Sequence, residues 1–312
     1  MSSSPIRGGA VLSLGRVYCD MVFRGLDAMP QLGREMFAQE FTLTPGGGAL
    51  ITAAHMSALG RPAALVARFG TDDLSRSLQH AIDDLGIDLR FLDRHETAGP
   101  QLTVVMVHED DRAFLSRRAG HARPETFERA LAWSEAAHLH IAEYATLHEM
   151  DDAVAAAKRQ GLTVSLDPSW DDALIRDPDF FRRSAGVDIF LPNREEAEAL
   201  TGSSHPGAAL EQLARHFPVV ALKLGSDGAM LAADGKTLHL PSAPVDVVDT
   251  TGAGDAFNAG FLHAWLDGAP AERCLAAGVR AGTLSVQASG GTGSIGNAEG
   301  GGAGASEGRL PA

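Results

Sequence analysis

Cysteine is scarce. The chain of 312 residues has two, Cys19 and Cys274, far apart and in no C-x-x-C pair. That spacing offers neither a disulfide framework nor a zinc site, and it suits a reducing compartment. Basic charge is also short: 26 Lys and Arg stand against 40 Asp and Glu, a formal net charge of −14, with no Lys/Arg-rich run. Such a chain repels a phosphodiester backbone, so a nucleic-acid partner is not expected. No segment approaches 18 uninterrupted apolar residues, and the opening MSSSPIRGGAVLSLG lacks the apolar stretch of a signal peptide. The expectation is a cytoplasmic protein with no membrane partner. Two nucleotide-binding signatures are missing as well. No G-x-G-x-x-G follows the first apolar run, where GRVYCD stands, and no Lys-Ser/Thr follows the later glycines. A Rossmann dinucleotide site and a Walker P-loop are thereby disfavoured, and a nicotinamide enzyme with them.

Short apolar runs alternate with helical patterns. AVLSLG (10–15) reads as a buried strand, GGGALITAAHMSALG (46–60) as a helix of small residues, AALVARFG (63–70) as a strand, and DDLSRSLQHAIDDLG (72–86) as one amphipathic helix. HLHIAE, LTVSLDP, DIFLPN and VVALKLG continue the strands; MDDAVAAAKRQG and REEAEALTG continue the helices. This alternation predicts βαβ units around a mainly parallel sheet, an α/β fold. Ligands bind such sheets beyond the carboxyl ends of the strands, where Asp167, Asn193 and Lys223 are expected. Residues 21–45 and 100–120 break the rhythm. Both read as β excursions, the second a hairpin turning at Glu109-Asp110-Asp111, and either a flap or ordinary edge strands would satisfy the pattern. From Gly293 the chain is Gly-rich with almost nothing apolar, which predicts a flexible tail over 293–312 behind a single domain of residues 1–292.

The stretch VVDTTGAGDAFNAGFLHAW (247–265) carries the chemistry. Phe257, Phe261 and Trp265 repeat every four residues, so a helix follows a turn made by Gly252, Ala253 and Gly254, with Asp255 at its mouth. A helix N-terminus presents unpaired N–H groups and positive dipole charge, and glycines admit a ligand close to the backbone. That combination suits phosphate. A simple cap at Asp255 suits the same residues, and both readings stand on the residues alone. If phosphate binds, Asp255 can take a proton from an alcohol while the amides hold the phosphoryl group. The helix terminus is expected to keep Asp255 ionised. Asn193 followed by Glu196 matches a capping box, the plainer reading of that pair. His138 and His140 share one side of a strand without a third ligand nearby, which does not make a metal site.

VVDTTGAGDAF resembles the C-terminal signature of the ribokinase/PfkB family of carbohydrate kinases. TPGGGALITAAHMSALG resembles its N-terminal Gly-Gly signature, DIFLPNREEAEALTG its Asn-x-x-Glu segment, and LKLGSDGAML its nucleotide-facing strand-turn. GRVYCDMVFRGLDAMPQLGREMFAQEF resembles its opening strand and lid. Order and spacing agree from about residue 11 to 291. The resemblance implies a three-layer α/β/α ribokinase-like fold with a small β-sheet lid, from about 17–45 and 97–120, that often serves as a homodimer contact. It implies an ATP- and Mg²⁺-dependent kinase acting on a sugar or nucleoside hydroxyl. Under it Asp255 is the base, and the amides of Gly252, Ala253 and Gly254 form the anion hole. Asn193 and Glu196 organise Mg²⁺ and phosphate, Glu196 indirectly. Lys223, Gly225, Ser226 and Gly228 line the nucleotide. Asp20, Gly46 and Gly47 hold the sugar, with Glu143 near the phosphate-side edge of the same site. A monovalent cation such as K⁺ is implied beside the anion hole, where Asp246 and Val248 match the start of its segment.

Two positions depart from the family pattern. Ile51 stands where an Asn usually meets a sugar hydroxyl, and Tyr18 where a small amide is usual. Both changes argue against plain ribose, since an apolar partner weakens recognition of a hydroxyl. A nucleoside kinase, with Ile51 and the lid facing a base, is the alternative enzyme. A non-catalytic binding protein on a kinase scaffold is the other, opposed by the intact GAGD.

Overall fold

The computed structural model describes residues 8–108 and 111–295, without the side chain of Asp111. Its main sheet is built from β1 (Ala10–Leu14), β4 (Ala63–Phe69), β5 (Leu92–Arg94), β8 (Ala136–Ile141), β9 (Thr163–Leu166), β10 (Ile189–Phe190), β11 (Val219–Lys223), β12 (Ala229–Ala233) and β13 (Lys236–Leu240). The order is β13-β12-β11-β10-β9-β8-β1-β4-β5. Pairing is parallel from β5 to β11, and β12 and β13 close one edge as antiparallel strands. Every residue of β1, β4, β8 and β9 is buried, as a parallel sheet covered on both faces requires.

Alternation along the strands feeds two separate cores. Leu12, Leu14, Leu139, Ile141, Val164 and Leu166 face one cluster. Val11, Leu65 and Ala67 face the other, with Phe257, Phe261 and Leu262 of the Ala253–Leu266 helix. This makes the three-layer α/β/α arrangement. A second sheet lies apart, ordered β3-β2-β6-β7, from β2 (Tyr18–Arg24), β3 (Glu40–Gly46), β6 (Leu102–His108) and β7 (Asp111–Arg117). Its β2–β6 pair is parallel and its outer pairs antiparallel.

Some local expectations need correction. Residues 72–86 hold two short helices, Asp73–Ser77 and Gln79–Asp83, because the Leu78 amide tightens onto the Ser75 carbonyl. Glu109 and Asp110 lie outside the described residues, and Asp111 belongs to β7, paired with His108, rather than to the turn. Gly293 and Ile295 belong to a hydrogen-bonded turn, with Ile295 packed on the core; residues 296–312 of the expected tail lie outside the described residues. The helices Pro206–Leu213 and Ala271–Ser285 and the edge strand β13 had no sequence expectation. Among the described residues no helix is long and apolar enough to cross a membrane.

The chain runs from β1 to β4 on one side, while β8 pairs with β1 on the other. Loops therefore diverge at the carboxyl end of β1, which opens a crevice there. Gly15, Ala142, Asp167, Asn193 and Lys223 all follow or end strands at this edge.

Candidate active site

Two clefts meet at Lys223. One, of about 580 Å³, is lined by polar groups that include Asp167, Asn193, Glu196, Lys223, Gly252 and Asp255. The other, of about 570 Å³, is mainly apolar; Pro244, Val245, Val247, Val279 and Val286 form much of its wall, with Gly225, Ser226 and Gly228 on the hairpin side. Lys223, Gly225 and Gly254 line both.

The helix Ala253–Leu266 starts two residues earlier than expected. Gly252 is its N-cap, with φ 74°, and Ala253 and Gly254 already belong to the first turn. Only Gly252 therefore precedes the helix, and Asp255 is its third residue. A left-handed φ at Gly252 favours glycine, and a Cβ there would stand 2.6 Å from the Gly291 Cα. Among the described residues the amides of Gly254 and Asp255 have no backbone acceptor, which leaves them free at the helix start. Space above them is kept by a third glycine: a Cβ at Gly48 would lie 2.8 Å from Asp255 Oδ1.

Lys223 is held by a small buried network. Its Nζ donates to Asp167 Oδ2 at 2.6 Å, and Asn258 Nδ2 donates to the same oxygen at 2.6 Å. Asn258 sits one turn after Asp255 and is fully buried. Burial works against the Lys223 charge, but Asp167, Glu196 and Asp255 together raise its pKa. The expectation of a firmly ionised Asp255 is corrected. Burial, reinforced by the Asp167 charge and only partly offset by Lys223, raises its pKa to about 7. The helix terminus does not outweigh desolvation here.

Asn193 and Glu196 form the complete capping box. Asn193 Oδ1 accepts from the Glu196 amide at 2.9 Å, and Glu196 Oε2 accepts from the Asn193 amide at 2.7 Å. Both also line the polar cleft, so capping and ligand binding are not exclusive. Burial and then the Asp167 charge raise Glu196 to about 8. Among the described residues no group of three or more His, Cys, Asp or Glu is arranged to hold a metal ion. The donor set suits a cation that keeps waters and phosphate ligands of its own, as Mg²⁺ does. His138 and His140 are buried against Thr163 and Ser165, each ring within 2.8 Å of a hydroxyl.

The sugar-side candidates gather differently. Asp20, on β2, presses its carboxylate against Gly46, where a Cβ would come within 1.9 Å of Oδ2. Burial raises it to about 7. Gly47, with φ 100°, lets the chain pass the Tyr18 ring and the Arg16 carbonyl. Tyr18 is pushed up to about 12 by burial and by Glu143, and its hydroxyl accepts from Arg118 Nε at 3.4 Å. Glu143 accepts from Thr146 Oγ1 at 2.6 Å and lies 3.9 Å from Arg16 Nε. Ile51 is 4% exposed, and its side chain backs Gly252 and Gly291. It therefore supports the turn from beneath.

Several residues had no expectation at all: Asn258, Gly48 and the lid arginines Arg24 and Arg112. Asn258 left a signal, a lone amide on the apolar face of AFNAGF. The arginines left none, because their partners come from the far end of the chain. Asp249 lies between them. Its Oδ2 accepts from Arg24 Nη2 at 2.9 Å and the Gly290 amide at 3.0 Å; its Oδ1 accepts from Arg112 Nη1 at 3.3 Å and the Thr251 amide at 2.9 Å.

Known proteins share this architecture. Residues 13–297 match the model of the pfkB family carbohydrate kinases. An ATP-dependent ribose-1-phosphate kinase of Halopiger xanaduensis is 31% identical over 85% of this chain and 88% of its own length. A ribokinase of Haemophilus influenzae is 26% identical over 90% of this chain and 94% of its own. The structure of Arabidopsis thaliana ribokinase complexed with ribose and ATP superposes with a TM-score of 0.80 at 24% identity, covering 94% of this chain and 96% of that one. With a strand-end crevice, a free-amide helix start and a family match over most of its length, the chain belongs to the pfkB family of carbohydrate kinases, ATP-dependent enzymes that phosphorylate a sugar or nucleoside.

Proposed function

We propose that this enzyme moves the γ-phosphoryl group of ATP to a hydroxyl of a sugar or sugar-like molecule, with Asp255 as the base. The observation that carries the proposal is the pairing of Asp255 with the free amides at the start of its own helix, beside Lys223. The apolar cleft suits a nucleotide base and ribose, with Gly225, Ser226 and Gly228 along it. The triphosphate then points past Lys223 into the polar cleft. Asp255 accepts the hydroxyl proton as the oxygen bonds to the γ-phosphorus and the bond to the β–γ bridging oxygen of ATP breaks, releasing ADP. The amides of Gly252 and Gly254, that of Ala253 once it leaves the Thr250 carbonyl it meets at 3.3 Å, and the ammonium of Lys223 stabilise charge on the transferred group. Mg²⁺ would supply positive charge to offset that of the phosphates, and Asn193 and Glu196, which line the polar cleft, would help to hold it. A base with its pKa near 7 is better matched to an alcohol than an ordinary aspartate.

On the acceptor side, Asp20 packs against Gly46 at the end of β3 and Gly47 caps the helix that follows, an arrangement that supports their role in holding the sugar. Glu143 and Tyr18 stand beside them through the Arg16 and Arg118 contacts. A nucleoside is the second reading, favoured by the Tyr18 ring beside Gly47. A panel of pentoses, hexoses, sugar phosphates, keto-deoxy acids and nucleosides, scored by thermal shift with a non-hydrolysable ATP analogue, separates the two. The exposed Phe41, Phe114 and Leu115 of the small sheet support a dimer through the lid. Sedimentation equilibrium should then show a dimer, and a monomer at all concentrations rejects it.

Two experiments read Asp255 directly. Because the ionised carboxylate is the active form, kcat/KM should rise with pH and level off near pH 7, its pKa in the free protein. A level profile down to the ordinary carboxylate range would exclude Asp255 as the base. Asp255→Asn should keep ATP binding and lose about 10²–10⁴-fold in phosphotransfer. The same variant should be more heat-stable than the parent. The fold favours the protonated acid, so ionisation costs stability progressively from its ordinary range up to about 7. The gain should be larger at about pH 8 than at about pH 5.

A further inference from the structure

Two arginines of the small sheet reach across to the turn that precedes the anion hole. Arg24 ends β2 and Arg112 lies near the start of β7. Arg24 Nη2 donates to Asp249 Oδ2 at 2.9 Å and to Ser289 Oγ at 3.3 Å. Arg112 Nη1 donates to Asp249 Oδ1 at 3.3 Å and to Thr251 Oγ1 at 2.8 Å, while its Nη2 bonds Thr250 Oγ1. Asp249 itself is well covered, with its side chain 8% exposed. Its carboxylate accepts the Thr251 amide at 2.9 Å and the Gly290 amide at 3.0 Å, which ties the turn to the loop behind Gly252. A Cβ at Gly252 would stand 2.6 Å from the Gly291 Cα, so a shift of that loop is felt at the helix N-cap.

The carboxylate thus receives two guanidinium and two amide donors, one of each on each oxygen. An ionised carboxylate has about four lone-pair sites, and all are used. The family resemblance puts a monovalent cation near this turn, yet Asp246 and Val248, which open that segment, are exposed. The Asp249 carboxylate does not fit K⁺, since a metal ion there would have to displace a guanidinium.

We infer that Arg24 and Arg112 are positioning residues, which fix the Asp249–Gly252 turn from the lid and supply there the positive charge otherwise assigned to a monovalent cation. The inference rests on the reading of that turn as the anion hole. It makes the phosphate site depend on where the small sheet sits. Each arginine is side-chain-exposed by less than a third, so the pairs are partly shielded from salt. The planar guanidinium fork lets Arg112 hold Asp249, Thr250 and Thr251 at once, which one ammonium would not match.

The test uses the full chain, with Arg24→Met and Arg112→Met combined, and Arg24→Lys and Arg112→Lys as conservative variants. Hydrogen exchange without substrates comes first. The amides of Thr251 and Gly290 should exchange faster in the double methionine variant, while β1 and β8 keep their protection. In steady state that variant should lose about tenfold or more in kcat, with the KM for ATP within about threefold. The lysine variants should recover part of kcat. The unaltered enzyme should turn over equally in potassium and tetramethylammonium salts. A strict potassium requirement in the unaltered enzyme, or a methionine variant with unchanged exchange and kcat, overturns the inference. If no acceptor is phosphorylated by the unaltered enzyme, the kinase mechanism fails, and the exchange data still decide whether the arginines hold the turn.

Discussion

One ammonium group serves three carboxyls at the floor of the polar cleft. Lys223 is ion-paired with Asp167 at 2.6 Å, and its charge also opposes the burial of Asp255 and Glu196. Three acids and one base under partial burial cannot all be ionised without large cost. The structure resolves this by leaving Asp167 as the direct partner and raising the other two acids to about 7 and about 8. The consequence reaches function. With those acids partly protonated, the cleft carries less negative charge when a triphosphate enters. The same arrangement lowers the stability of the fold as pH rises from the ordinary carboxylate range to about 7, because the fold binds a proton that the unfolded chain has lost.

Topology explains why these groups meet. Asp167 follows β9, Asn193 follows β10 and Lys223 ends β11, so adjacent parallel strands deliver them to one edge. The Ala253–Leu266 helix comes from later in the chain and packs its Phe257–Phe261 face into the second core. Asn258, one turn on from Asp255, joins the helix to the strand end through Asp167. A single buried amide thus fixes the helix start against the sheet. The small sheet adds the other wall, with Asp20 against Gly46 and the two arginines on Asp249.

Much of this was legible in the sequence where the information is local. The strand–helix alternation, the strand ends, the capping box of Asn193 and Glu196 and the helix behind GAGD are all short-range patterns. Where they failed, a longer-range effect had won. Asp255 was read as ionised because a helix terminus favours the anion, but burial beside Asp167 depends on strands far away in sequence. Ile51 packs under Gly252 and Gly291, a contact with the far end of the chain that its own motif does not register. The helix over 72–86 was read as continuous from its polar–apolar pattern, which does not register a tightened turn at Leu78. Asp249 and its arginines left no trace, since the pairing spans 225 residues for Arg24 and 137 for Arg112.

The most direct measurement is a crystal structure of the protein with Mg²⁺, a non-hydrolysable ATP analogue and the acceptor found by the thermal-shift panel. The account predicts γ-phosphate oxygens about 3 Å from the amides of the Gly252–Asp255 helix start, with the Asp255 carboxylate in hydrogen-bond reach of an acceptor hydroxyl. A triphosphate lying away from those amides, or an acceptor hydroxyl whose only basic neighbour is another residue, would contradict it.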